Sequence, residues 1–140
     1  IFELQMPFTN TEAVERFDSL LTRIPNLHVT INHGGFPPKI SDNLYPVWVR
    51  NMRLMATHSK VAIKCSGWEM SDREYESEWM LSVIEQCLYL FGQDRVMLAS
   101  NFPLCLFSKS YSKYWQSFLK LPDKTKKALL SRNAYKWYQF

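Results

Sequence analysis

The sequence lacks any run of about 18 apolar residues, the length a helix needs to cross a bilayer, so no membrane partner is expected. No basic-then-apolar leader opens it, so no secretion signal is expected either. The chain starts Ile1-Phe2-Glu3-Leu4, strand-like from its first residue and without a start methionine, which reads as a cut end. Cysteine is sparse: Cys65, Cys87 and Cys105 are odd in number, far apart and form no C-x-x-C pair. That disfavours a zinc ribbon or redox pair and fits reduced thiols in a cytoplasmic protein. No glycine-rich loop follows the first strand-like segment. Pro7-Phe8-Thr9-Asn10 stands there instead, which argues against a flavodoxin-like phosphate site.

Charge is unevenly placed. From Ser108 onward, Lys109, Lys113, Lys120, Lys124, Lys126, Lys127, Arg132 and Lys136 face one acid, Asp123. Tyr111, Tyr114, Trp115 and Phe118 interleave with these lysines at helical spacing, so the basic residues read as the wet side of a packed stripe and not as a nucleic-acid surface.

Strand and helix patterns alternate through the chain. Phe2-Glu3-Leu4-Gln5 is a short strand, and capping residues Thr9, Asn10 and Thr11 lead into a helix with Val14, Phe17, Leu21 and Ile24 on one face. Val29-Thr30-Ile31-Asn32-His33 is the second strand, and a helix from about Pro46 buries Val47, Trp48, Met52 and Met55. Val61–Ser66 is the third, followed by a helix capped at Ser71, with Asp72, Glu74, Glu76 and Glu78 in its first turns and Gly92 at its end. Arg95–Ser100 is the fourth, with helices from about Ser110 and from Pro122-Asp123. Strands joined by helices imply a parallel α/β sheet. Strand ends recur near residues 5, 33, 65 and 100, a spacing of about 28 to 35 residues that matches the roughly 31 per unit of a TIM (β/α)8 barrel. Four units make residues 1–140 half of such a barrel.

Each strand ends on polar chemistry: Gln5, His33, Lys64 with Ser66, and Ser100 with Asn101. In parallel α/β folds these C-terminal ends converge on the site. Alternation puts Gln5, Lys64 and Asn101 on one face. His33 breaks the pattern, because it shares parity with Val29 and Ile31 and would leave Thr30 and Asn32 facing the helices unless a bulge intervenes. His33 can bind a metal or move a proton near neutral pH. His28 and His58 lie at the opposite strand ends, so three protein ligands for a catalytic metal are not expected from this chain.

Phe2-Glu3-Leu4-Gln5, Ile31-Asn32-His33-Gly34-Gly35-Phe36-Pro37, Val61–Gly67, Phe91–Pro103 and Asn133–Tyr138, in this order and spacing, resemble the amidohydrolase-related (amidohydrolase 2) family, especially its sugar-lactone and dicarboxylate-lactone hydrolase branch. The resemblance implies strands five to eight of the barrel. It implies a cytoplasmic hydrolase acting on a lactone or related carbonyl ester, with a small lactone or carboxylate-bearing substrate. It implies one divalent metal, Zn or Mn, or metal-independent chemistry. His33 falls on the family's metal-binding or substrate-contacting histidine. Asn101 falls where an aspartate usually ligates metal or activates water. A carboxamide there has an acceptor oxygen but no charge and takes no proton near pH 7. Cys105 stands where that branch tends to place an acid. Gln5, Lys64 and Ser66 are then substrate-binding residues, with Lys64 holding a carboxylate or developing oxyanion. The missing N-terminal half or a second copy is the expected protein partner. The competing expectation is a non-catalytic barrel fragment that pairs with another chain.

Overall fold

Apolar alternation in four short segments produces four strands in the structure, a computed structural model that describes residues 1–139. They are β1 (Phe2–Leu4), β2 (Val29–Ile31), β3 (Val61–Cys65) and β4 (Val96–Leu98). All pair in parallel, in the order β1-β2-β3-β4. Parallel neighbours cannot be joined by a tight turn, so each connection returns as a crossover. α1 (Thr11–Arg23) and α2 (Tyr45–Ala56) make the first two. The third is a single turn, α3 (Trp68–Ser71), then α4 (Ser77–Phe91). After β4 come α5 (Tyr111–Gln116), α6 (Asp123–Lys127), a π-helical turn at Ala128–Arg132 and α7 (Asn133–Tyr138). The strand order never reverses, whereas an open doubly wound sheet turns back at its switch point. Sequential winding is that of a barrel wall.

The register settles which residues share a face. Glu3, Thr30 and Ala62 lie side by side, and Lys64 lies beside Met97. Val29, Ile31, Val61, Ile63, Cys65, Val96 and Leu98 take the other face and are buried with Val14, Leu21, Trp48, Met52, Met55, Met80, Val83, Ile84, Cys87 and Phe91. Each of the larger side chains, fully buried, contributes about 1.5–3 kcal/mol. All three thiols lie within this packing and are free.

The second strand fits without a bulge. β2 ends at Ile31, and His33 belongs to a 3-10 turn, His33–Gly35, with its own φ at 54°. Thr30 therefore keeps the polar face, and His33 is freed from strand parity by leaving the strand. Thr30 is fully buried because α7 covers it: Trp137 Nε1 donates to its Oγ1 at 3.0 Å, and the Tyr138 phenol oxygen lies 3.3 Å from the same atom.

The helix expected from Ser71 starts later. Asp72 accepts from the Glu74 amide at 2.9 Å and pairs with Lys39 at 2.8 Å, a local turn that holds the chain out of helix until Ser77. Asp72 and Glu74 thus precede α4 and do not charge its first turn.

The N-terminal ends of the strands are tied by donors that find backbone oxygens. Arg95 donates to the carbonyls of Ala56 (2.9 Å), His58 (2.8 Å), Val61 (3.0 Å) and Phe91 (3.0 Å). Asn133 donates to Gln93 O at 2.6 Å and Val96 O at 2.8 Å. His58 Nε2 lies 2.7 Å from Asp18 Oδ1. No described helix is long and apolar enough to cross a membrane.

Candidate active site

The loops after β2 and β3 meet at His33 and Ser66. His33 Nδ1 lies 3.1 Å from Ser66 Oγ, and Ser66 is 3 % exposed. The turn that carries His33 is anchored from α2, where Trp48 Nε1 donates to Gly34 O at 2.9 Å. Its other wall is Gly67, at φ 69°, where a Cβ would stand 2.4 Å from His33 Nδ1 and 2.7 Å from its Cγ. The ring sits against bare backbone, which only glycine allows. Burial depresses the His33 pKa below the usual imidazole value, the charge of Lys64 depresses it further, and Glu3 opposes both. The imidazole is accordingly neutral near pH 7, with Nε2 making no hydrogen bond to a described residue.

Lys64 occupies the polar face beside β1. Its Nζ lies 2.7 Å from Glu3 Oε2 and 5.7 Å from the centre of the Tyr138 ring. Tyr138 OH also donates to Glu3 Oε1. Burial pulls the Lys64 pKa down, but the hydrogen bond and charge of Glu3, with Tyr138, raise it on balance. Burial pushes Glu3 up, and the bonds from Lys64 and Tyr138 outweigh it and lower the pKa. The ammonium expected to meet a substrate anion is thus already paired with a carboxylate. Gln5, just past β1, is exposed.

The turns after β3 and β4 meet at a residue that sequence reasoning passed over. Asn101, at φ 57°, donates through Nδ2 to Glu69 Oε1 at 2.6 Å and contacts Met70 Sδ at 3.5 Å. Glu69 is 7 % exposed, and its Oε2 is buried without a hydrogen-bond partner. Its charge is felt nearby. Burial, then Glu69 and Cys105, push the Tyr75 phenol up to about 12, and burial and Glu69 push the Cys105 thiol up. A second buried acceptor, Asn32 Oδ1 at the end of β2, also lacks a partner. Glu69 was overlooked because it opens a segment dense in acids, yet it alone among Glu69, Asp72, Glu74, Glu76 and Glu78 is buried.

The structure therefore joins His33 to Ser66 and Asn101 to Glu69, and leaves Lys64 with Glu3. Among the described residues no three His, Cys, Asp or Glu side chains are grouped to hold a metal ion. One imidazole and a carboxylate spent on Asn101 do not fit a catalytic metal that needs three protein ligands. A cleft of about 720 Å³ opens nearby, lined in part by Lys39, Asp72, Tyr75 and Trp79, but none of His33, Ser66, Glu69 or Asn101 lines it.

Sequential parallel strands joined by helical crossovers are the arrangement of an α/β-barrel wall. The amidohydrolase family model matches residues 4–140, and the chain belongs to that family. It is 30% identical over 130 residues to protein y4mH of Sinorhizobium fredii, covering 90% of this chain and 43% of that protein. An amidohydrolase from Burkholderia multivorans solved with bound zinc superimposes with a TM-score of 0.84 at 20% identity, over 99% of this chain and 52% of that one. A Pseudomonas putida protein described as a putative 2-pyrone-4,6-dicarboxylic acid hydrolase gives 0.76 at 18% identity, over 98% and 50%. At these identities the structures speak for the fold. The chain spans about half the length of the proteins it matches.

Proposed function

We propose that residues 1–140 form strands five to eight of an amidohydrolase-type barrel, and that the full-length protein hydrolyses a lactone or related carbonyl ester at the barrel mouth. The observation that carries this is the linkage of the strand ends: His33 to Ser66 across β2 and β3, and Asn101 to Glu69 across β3 and β4. Neutral His33, steadied by Ser66, takes or returns the proton of the attacking water. Asn101 holds that water or a substrate hydroxyl by hydrogen bonding, and Gln5 binds a polar group at the rim. Lys64 meets a substrate carboxylate only by exchanging Glu3 for it. The Pseudomonas putida neighbour's description supports a lactone that carries carboxylates. The Burkholderia multivorans neighbour's zinc supports a divalent metal. Were such a metal held, His33 Nε2 would be the ligand this chain offers, with the others coming from outside it, and His33 would then bind the metal in place of moving the proton.

The test is to assay the full-length protein on a panel of sugar lactones and pyrone dicarboxylates, with and without chelator. Loss of turnover in His33→Ala by about 10²-fold or more is expected of a general base. Unchanged kcat/KM in that variant on a confirmed substrate sinks the assignment.

A second reading, a non-catalytic wall that pairs with another chain, is favoured by the sheet edges. β1 and β4 each pair with a single strand among the described residues, and open parallel edges invite partners. Sedimentation of the 140-residue chain separates the cases: a stable, well-folded monomer counts against the need for a second half, and association with the upstream half or with itself supports it.

A further inference from the structure

Asn101 takes up its amide in an unusual way. A carboxamide has two N–H donors and one acceptor oxygen. Here the nitrogen faces the Glu69 carboxylate at 2.6 Å, with Met70 Sδ at 3.5 Å, and Oδ1 accepts nothing from the described residues. The orientation follows from chemistry, because an amide oxygen turned toward a carboxylate oxygen would set two acceptors against each other. The bond is charge-assisted, which makes it stronger than one between neutral groups. The partner is also well fixed: Glu69 is more than nine-tenths buried, on the α3 turn directly after β3, beside buried Trp68 and buried Gly67. Its second oxygen is buried and unanswered. A buried carboxylate that leaves one oxygen without a donor is costly to keep for packing alone, and it points to a task.

We propose that Glu69 is a positioning residue that pins the Asn101 amide nitrogen, so that Asn101 presents its carbonyl oxygen as a fixed acceptor for an O–H or N–H donor at the barrel mouth. The pair restores part of what a single aspartate would provide at that position. Asn101 supplies the acceptor, and Glu69, one hydrogen bond behind it, supplies the negative charge that polarises the amide. The ligand class follows: a water, a hydroxyl or an amine that donates, and not a carbonyl or carboxylate oxygen. The ligand assignment rests on the reading of the strand ends as an active site. The Glu69–Asn101 arrangement does not, and the experiment keeps the two apart.

In the 15N-labelled full-length protein, the Asn101 side-chain amide protons are expected to exchange with solvent at least about 10-fold more slowly than those of an exposed asparagine such as Asn26. Exchange as fast as that of Asn26 in the unaltered protein overturns the proposal with no variant needed. Glu69→Gln is expected to collapse that protection. Asn101→Asp is expected to be poorly tolerated, because two carboxylates then face each other. The reciprocal double variant Glu69→Gln/Asn101→Asp is expected to regain stability, since the introduced carboxamide can donate to the introduced carboxylate. An Asn101→Asp effect that is the same in both backgrounds overturns the pairing. On any lactone that is turned over, Glu69→Gln should lower kcat about 10-fold or more with KM changed less than about 3-fold. An unchanged kcat there overturns the positioning role. If no substrate is found, the function proposed above fails while the spectroscopic and double-variant results still decide this one.

Discussion

Gly67→Ala is the sharpest perturbation of His33 that leaves the imidazole in place. Two costs add. Glycine sits at φ 69°, ψ 26°, a left-handed conformation that costs an L-residue about 1–2 kcal/mol. The new methyl would also stand 2.4 Å from Nδ1, 2.7 Å from Cγ and 3.0 Å from Cβ of His33. Those atoms lie at the root of the side chain, so the ring cannot swing clear by a terminal rotation. It must move as a body and give up Ser66, and overpacking of this kind costs about 1–3 kcal/mol. Gly67→Ala should therefore lower stability by about 3 kcal/mol in urea unfolding. Removing the ring separates the two costs. In a His33→Ala background the closest atom left is the alanine Cβ, at a distance the backbone absorbs with a small shift. The same Gly67→Ala change should then cost about 1 kcal/mol, the backbone share alone. The coupling of about 2 kcal/mol in the double-mutant cycle is the measured quantity. A coupling below about 0.5 kcal/mol, within the scatter of independent sites, refutes the claim that Gly67 shapes the seat of His33.

Other outcomes follow from the same geometry. Arg95→Ala removes charged donors from the carbonyls of Ala56, His58, Val61 and Phe91 and should cost about 3 kcal/mol in denaturant titration, while leaving kcat/KM of the folded enzyme unchanged because those contacts lie at the opposite strand ends. Glu3→Gln should reduce stability by less than about 1 kcal/mol at pH 7, because a partly exposed ion pair is screened. The sign follows from the lowered Glu3 pKa: the pair stabilises above the unfolded carboxylate value, and that contribution is lost as pH falls through the lower folded one, so the variant's deficit should vanish in acid. The same substitution unpairs Lys64 and should tighten KM for any carboxylate-bearing substrate. Since burial and Lys64 depress the His33 pKa, the acid limb of kcat/KM should fall below pH 6.5, and a limb above that value contradicts a neutral His33 base.

Strand-helix alternation and the spacing of strand ends were enough to show the barrel winding, since both are local patterns with a fixed period. The facing of β2 was not legible. Parity counts assume that the strand continues, and the chain stays extended through Asn32 and then turns at His33, where φ becomes positive, a conformation the pattern of apolar residues does not encode. The Glu3–Lys64 pair was hidden for a different reason: Glu3 and Lys64 lie in the first and third units of the chain, and only the register brings β1 within reach of the end of β3. Trp137 and Tyr138 had the signature of a closing helix, but nothing in their spacing says that they cover Thr30 and Glu3. Glu69 had a readable signal: it is the first acid after the strand-ending Ser66-Gly67. It was masked by Asp72, Glu74, Glu76 and Glu78, which share its charge and none of its burial.

The two ends of the sheet differ in how their polar atoms are answered, and this difference separates stability from chemistry. At the N-terminal ends, Arg95 and Asn133 spend their donors on backbone oxygens, and His58 meets Asp18. Those side chains are committed to one another and to the backbone, which suits a region whose work is holding strands in register. At the C-terminal ends, Asn32 Oδ1 and Glu69 Oε2 are buried and unanswered, Asn101 Oδ1 accepts no bond from the described residues, and His33 and Asn101 both sit at positive φ. Each of these has a free-energy cost; Ser108 Oγ, between β4 and α5, is likewise buried without a partner, and Gln139 at positive φ stands with Arg95 and Asp94 at the other end. Asn32 Oδ1, Glu69 Oε2 and Asn101 Oδ1 are acceptors with no donor among the described residues, and His33 Nε2 makes no hydrogen bond to a described residue either. Under the function proposed above, these acceptors would receive a water or hydroxyl that donates hydrogen bonds.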